Sequence, residues 1–171
     1  MATKKPAATN LSRADRELVD AALAAREGAH APWSKFKVGA AARFGDTIVK
    51  GCNVEFDVYG LTGCAERTAV FAAYACGAAR APLTAIAVVA DTPSPVSPCG
   101  ACRQVLYETG GPDLRVILTN TQGDARVTTM RELLPGGFRL EGTARTAAVR
   151  KAAQRRIAEF AAAPAKKSPR T

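Results

Sequence analysis

The stretch 64-CAERTAVFAAYACG-77, with 83-LTAIAVVA-90 and 98-PCGAC-102 after it, decides the architecture. Its first part is an apolar run of helical length that ends at Gly77. The second is dense in apolar and β-branched residues, as suits a strand buried on both faces. The proline-bearing stretch 93–98 prevents regular structure, and a second helix is predicted from Cys99 to the stop at Gly110-Gly111.

Upstream, Leu18, Val19, Ala22 and Leu23 recur at helical spacing over 12–29, with Ser12 placed as N-cap, Gly28 near the end and Pro32 beyond it. Two short strands, 38–44 and 47–52, flank Gly45-Asp46 and predict a hairpin. Downstream come a strand at 115–118, a polar turn at 121–124, a weaker strand at 125–128 and a short helix at 130–134. Helices alternating with strands indicate a three-layer α/β domain around one sheet. A chain of 171 residues suits one such core with tails. The division expected is a flexible basic tail at 1–11, a catalytic domain at 12–141 and an Ala-rich basic extension at 142–171, read as a helix and then a disordered tail.

The formal net charge is +9, but residues 142–171 carry +7 of it and residues 1–13 another +3, which leaves about −1 for 14–141. The core therefore lacks the basic surface of a nucleic-acid-binding domain. The extension could meet RNA, a membrane surface or a partner protein, and its sequence assigns it none of these. No run approaches the roughly 18 apolar residues of a membrane span, and the residues after Lys4-Lys5 lack the apolar stretch of a secretory signal. A cytoplasmic location is expected.

Five cysteines, an odd number without an export signal, argue against a disulfide framework. Cys64, Cys99 and Cys102 all lie at predicted helix starts, where unpaired N–H groups and the positive dipole end favour thiolates. Three thiolates suit a catalytic zinc ion, which keeps three protein ligands and one open position. A redox pair would leave Cys64 and Glu66 without a role. A closed structural zinc site would need a fourth ligand from Cys52, Cys76 or His30, and none of these sits at ligand spacing. Cys52 and Cys76 read as buried small side chains, and His30 as a surface or capping residue.

Glu66, two residues after Cys64, can approach a water at such a metal without binding the metal itself. Hydrolytic deamination of a cytosine needs a proton removed from water, one placed on a ring nitrogen and one delivered to the departing amine, and a single carboxylate can do all three in turn. Three thiolates leave a formal negative charge on a divalent ion. Arg67 could offset it by hydrogen bonding to a thiolate, or be an ordinary exposed helix arginine; the residues alone leave both readings open.

From about residue 31 to 138 the chain resembles the small homotetrameric cytidine deaminases that act on free nucleosides. The resemblance rests on 32-PWSKFKVGA-40, 51-GCNVE-55, 59-YGL-61, 64-CAERTA-69, 97-SPCGACRQ-104 and 133-LLPGGF-138. It implies a three-layer α/β/α sandwich with a mixed five-stranded sheet, zinc on Cys64, Cys99 and Cys102, and Glu66 as proton shuttle. It further implies that Phe36 packs on the pyrimidine, that Ala65 borders the substrate and that Asn53 and Glu55 bind a ribose hydroxyl. Tyr59 and Phe138 would reach a neighbouring subunit's pocket, although without the resemblance both aromatics read as core. These enzymes usually carry Asn-Ala where this chain has Phe56-Asp57. Those two residues become candidates for selectivity at the sugar end, Asp57 disfavouring a 5'-phosphate by charge repulsion.

Three other readings compete with this one. A polynucleotide deaminase generally places His where Cys64 stands and needs a basic groove. A deaminase of a modified cytosine nucleoside or nucleoside antibiotic would have its pocket altered by Phe56 and Asp57, although the antibiotic-directed relatives, which share the three cysteines, lack the 64-CAERTA-69 run and the Asn53 and Glu55 pair in this form. A non-catalytic zinc-containing binding module would have no use for Glu66.

Overall fold

The computed structural model describes residues 11–139 together with 151, 152 and 155. The chain divides into two units, Met1–Phe138 and Arg139–Thr171. Lys151, Ala152 and Arg155 are helical and exposed. The rest of the predicted extension, and all of the predicted tail except Leu11, lie outside the described residues.

Helix α1 (Arg13–Glu27) begins where Ser12 and Asp15 cap each other reciprocally. Strands β1 (Val38–Phe44) and β2 (Thr47–Cys52) form the expected hairpin, turned at Gly45 with φ 56°. Helix α2 (Ala65–Ala75) follows, and then β3 (Leu83–Ala90) and α3 (Gly100–Gly110). Strands β4 (Arg115–Asn120) and β5 (Ala125–Thr129) and the single turn α4 (Met130–Leu133) complete the unit. The sheet order is β2-β1-β3-β4-β5. Only the β3–β4 pair is parallel, so the five-stranded sheet is mixed, as expected.

The two faces of the sheet carry separate cores. Leu18 and Ala22 of α1 pack on Ala41, Ala85, Ala87, Val89 and Ile117. The alternate residues Ala40, Ala42, Ile86, Val88, Val116 and Leu118 face α2 and α3, where they meet Ala65, Ala69, Val70 and Leu106. This period-two division of β1, β3 and β4 makes the predicted three layers. Small residues let the helices sit close to the sheet. A Cβ on Gly39 would lie 2.0 Å from Ala22 O, and one on Gly51 would lie 2.3 Å from Ala69 N and 2.5 Å from Ala65 O. Gly51 thus lets β2 touch the first turns of α2.

Several expectations need correction. Cys76, read as a buried small side chain, is exposed, and Cys52 is half-buried. Phe71 and Tyr74 of α2 are also exposed, because an apolar helix shows no periodicity that marks its inner face. The reading of Tyr59 and Phe138 as core, made from the residues alone, fails: they are 78% and 66% exposed. Short 3-10 turns at Tyr59–Leu61 and Ala78–Arg80 were not foreseen, and β4 runs two residues past the predicted end.

Candidate active site

Helices α2 and α3 lie on the same face of the sheet and bring their N-termini together. Cys64 is the N-cap residue of α2 and Cys99 that of α3, yet neither side chain makes a capping hydrogen bond. Both sulfurs remain available, and Cys102 joins them from the first turn of α3. The three Sγ atoms lie within 4.8 Å of one another. The Cys64 and Cys99 sulfurs are 3.9 Å apart, far beyond a disulfide bond of about 2.05 Å. Thiolates held tetrahedrally at about 2.3 Å from one zinc ion stand about 3.8 Å apart, so this spacing fits zinc.

The protonation chemistry fits as well. The Cys64 thiol is held down to about 5, first by a hydrogen bond from Cys102 and then by Arg67 and Cys99, against the opposing effect of burial. Cys102 is pushed up, first by sharing that hydrogen with Cys64 and then by its own burial. Three thiolates brought this close would concentrate negative charge that a cation among them would offset.

Arg67 supplies one positive group. Its Nη2 lies 3.6 Å from Cys64 Sγ and donates to Thr62 O at 2.9 Å. Its pKa is raised, chiefly by the bond to Cys64. Of the two readings left open for this residue, the geometry supports the thiolate partner. Its Nε is buried without a hydrogen-bond partner, which is costly unless negative charge stands close.

Glu66 is 4% exposed and its pKa is raised, chiefly by burial and further by the charge at Cys64, against the opposing effect of a backbone hydrogen bond. It lines a cleft of about 320 Å³ together with Cys64, Cys99, Ala65, Phe36, Asn53 and Glu55. That volume lies at the lower end of the range for small-molecule sites. Ser34, Val38, Thr62, Val88, Val96 and Ser97 complete the lining and were not singled out from the sequence. Ser34 and Ser97 stand inside the resembling segments, where adjacency was the only available signal; Thr62 carried none.

The cleft does not include every residue expected at the site. Phe56, Asp57, Tyr59 and Phe138 are exposed and do not line it, and Arg67 and Cys102 stand behind it. Asn53 is buried and already engaged, its Nδ2 donating to Phe36 O and its Oδ1 accepting from Val38 N, both at 2.8 Å. An amide has two N–H donors, so one remains for a ligand. Glu55 accepts from the backbone N–H groups of Trp33 and Ser34 at 3.0 and 3.2 Å, and from the Ser34 hydroxyl. These bonds, the hydroxyl's first, lower its pKa. Asn53 and Glu55 therefore frame the loop that presents Phe36, in which Lys35 adopts a left-handed φ of 58°.

Residues 12–118 match the family described as the cytidine and deoxycytidylate deaminase zinc-binding region. The chain belongs to that family. Within this deaminase family, the cytidine deaminase of Halalkalibacterium halodurans is 54% identical over 129 residues, covering 74% of this chain and 96% of that protein. A cytidine deaminase of Mycobacterium tuberculosis is 44% identical over 121 residues, covering 70% of this chain and 86% of that protein. The crystal structure of the Burkholderia pseudomallei cytidine deaminase matches with a TM-score of 0.69 at 53% identity, covering 75% of this chain and 100% of that one. The matched zinc-binding region includes Cys64, Cys99 and Cys102, the three clustered thiols that could hold a metal ion.

Proposed function

We propose that the protein hydrolyses cytidine and deoxycytidine to uridine and deoxyuridine, releasing ammonia, in pyrimidine salvage. The observation that carries this reading is Glu66, a buried carboxylate with a raised pKa that faces a nucleoside-sized cleft beside three clustered thiols. Cys64, Cys99 and Cys102 would hold zinc, which when bound would supply Lewis-acid activation of water. Glu66 takes a proton from the attacking water and passes it to the ring nitrogen beside the carbon under attack. It then carries the second proton to the exocyclic amine, which leaves as ammonia while the new oxygen becomes the carbonyl. Burial raises the proton affinity of Glu66, which suits a group that must hold and release protons near neutral pH.

Phe36 stacks on the pyrimidine, Ala65 borders it, and the remaining N–H of Asn53 and lone pair of Glu55 bind a sugar hydroxyl. Phe56 and Asp57 act from outside the single-chain cleft, at the sugar end beside Glu55. Tyr59 and Phe138 complete the pocket of a neighbouring subunit in a homotetramer, and the enzyme works in the cytoplasm. Supporting the assembly, large apolar side chains stand exposed on one unit, among them Val58, Tyr59, Leu61, Phe71 and Phe138. Glu66→Gln tests the reading, because it keeps size and polarity while removing the proton carrier. Turnover is expected to fall by about 10² to 10⁴ with zinc retained; an unchanged rate contradicts the assignment.

A further inference from the structure

The loop ahead of Cys99 has no regular structure, so neither strand nor helix fixes the approach of this thiol to the cluster. Val96 N donates to Thr119 O and Asn120 Nδ2 donates to Thr92 O, each at 3.2 Å, and these pin the loop to β4. The next ties converge on one side chain. Arg103, on α3 one turn after Cys99, donates from Nε to Pro98 O at 2.8 Å, from Nη1 to Leu133 O at 2.9 Å and from Nη2 to Ser97 Oγ at 3.0 Å. All three guanidinium nitrogens are engaged in three directions. Pro98 is fully buried, Ser97 lines the cleft, and Leu133 ends α4 with a carbonyl that the helix cannot satisfy. The adjacent Gln104 donates from Nε2 to Phe138 O at 2.7 Å, so consecutive residues of α3 hold both ends of the 133–138 segment.

We propose that Arg103 is a positioning residue of the site: it fixes the lead-in to Cys99 and the Ser97 wall of the cleft to the end of α4, and thereby sets the third thiol in place for the metal. A lysine would keep the charge, but a single ammonium on a flexible stem cannot span three acceptors as the planar guanidinium does. The kinetic consequence rests on the cleft being the deaminase site, whereas the metal consequence does not.

The test compares zinc-loaded parent protein with Arg103→Lys and Arg103→Gln, measuring the rate of zinc transfer to a chelator, kcat and KM for cytidine, and the thermal midpoint. Both variants are expected to release zinc about 10-fold faster and to lose about 10- to 100-fold in kcat/KM, as when an outer partner of a metal ligand is lost. If the midpoint falls while zinc release and kcat/KM per zinc-loaded chain stay at the parent values, Arg103 is merely structural and the proposal is overturned. Should neither variant fold, Ser97→Ala removes the Nη2 tie alone; zinc release about threefold faster supports the proposal, and an unchanged rate overturns it. If the parent does not turn over cytidine but the variants still release zinc faster, the positioning role stands and the functional reading is what fails.

Discussion

Cys64 and Arg67 hold each other in their charged forms across 3.6 Å, while Glu66 between them in sequence is turned inward and drawn toward its neutral form by burial. One helical turn thus carries a thiol drawn toward its thiolate, a buried carboxylate and a counter-charge, each with a different environment. Arg67→Gln keeps a donor for Thr62 O but leaves the thiolate charge without its cation. On zinc-quantified protein, kcat is expected to fall about 10-fold or more; a parent-like value would reduce Arg67 to a structural helix residue. Asp57 stands exposed two positions after Glu55. Its charge should make cytidine monophosphate a poorer substrate than cytidine, and comparable kcat/KM for the two would refute that selectivity. The clustering of Cys64, Cys99 and Cys102 with Glu66 beside them was legible because their spacing and their placement at helix starts are local properties of the chain. The engagement of Asn53 was not. Its amide binds backbone groups of Phe36 and Val38, partners 17 and 15 residues away in sequence, and local spacing does not report them.

At the scale of elements, the site depends on two helices presenting their N-termini to one point, and α1 on the opposite face is tied to the same sheet. Asp15 receives both arms of Arg115 on β4, Nε to Oδ1 and Nη2 to Oδ2, each at 2.9 Å. It also accepts from Ser12 at the start of α1. Its pKa falls from the ordinary 3.8 to about 2, first through the Arg115 hydrogen bond. A carboxylate depressed in the folded state stabilises the fold above its unfolded pKa, and that contribution is lost as pH falls from about 4 to about 2. Denaturant unfolding against pH should show the parent losing on the order of 1–2 kcal/mol over that interval beyond any loss in Asp15→Asn. Parallel curves for the two proteins would sink this account. The hairpin, the buried strand β3 and both catalytic helices were readable from turn residues, β-branched content and glycine stops. The inner face of α2 was not, because Phe71, Tyr74 and Cys76 continue an apolar run whose outward side no polar residue marks.

For the molecule as a whole, charge is unevenly divided along the chain. The nearly neutral stretch 14–141 includes the cleft, and the excess positive charge lies in the terminal segments. The Halalkalibacterium halodurans and Burkholderia pseudomallei enzymes match over about three quarters of this chain and nearly their own full length, so about a quarter of this chain lies outside what they share. No helix among the described residues is long and apolar enough to cross a membrane. The aromatics Tyr59 and Phe138 are exposed, which their hydrophobicity alone did not suggest. What unites these features is a cleft of small-molecule size beside a cluster of three thiols that could hold a metal ion. The most direct test is ammonia release and ultraviolet absorbance change with cytidine and deoxycytidine, on protein whose zinc content per chain has been determined. The account predicts turnover of either nucleoside with about one zinc per chain; a full complement of zinc with no turnover of either would contradict it.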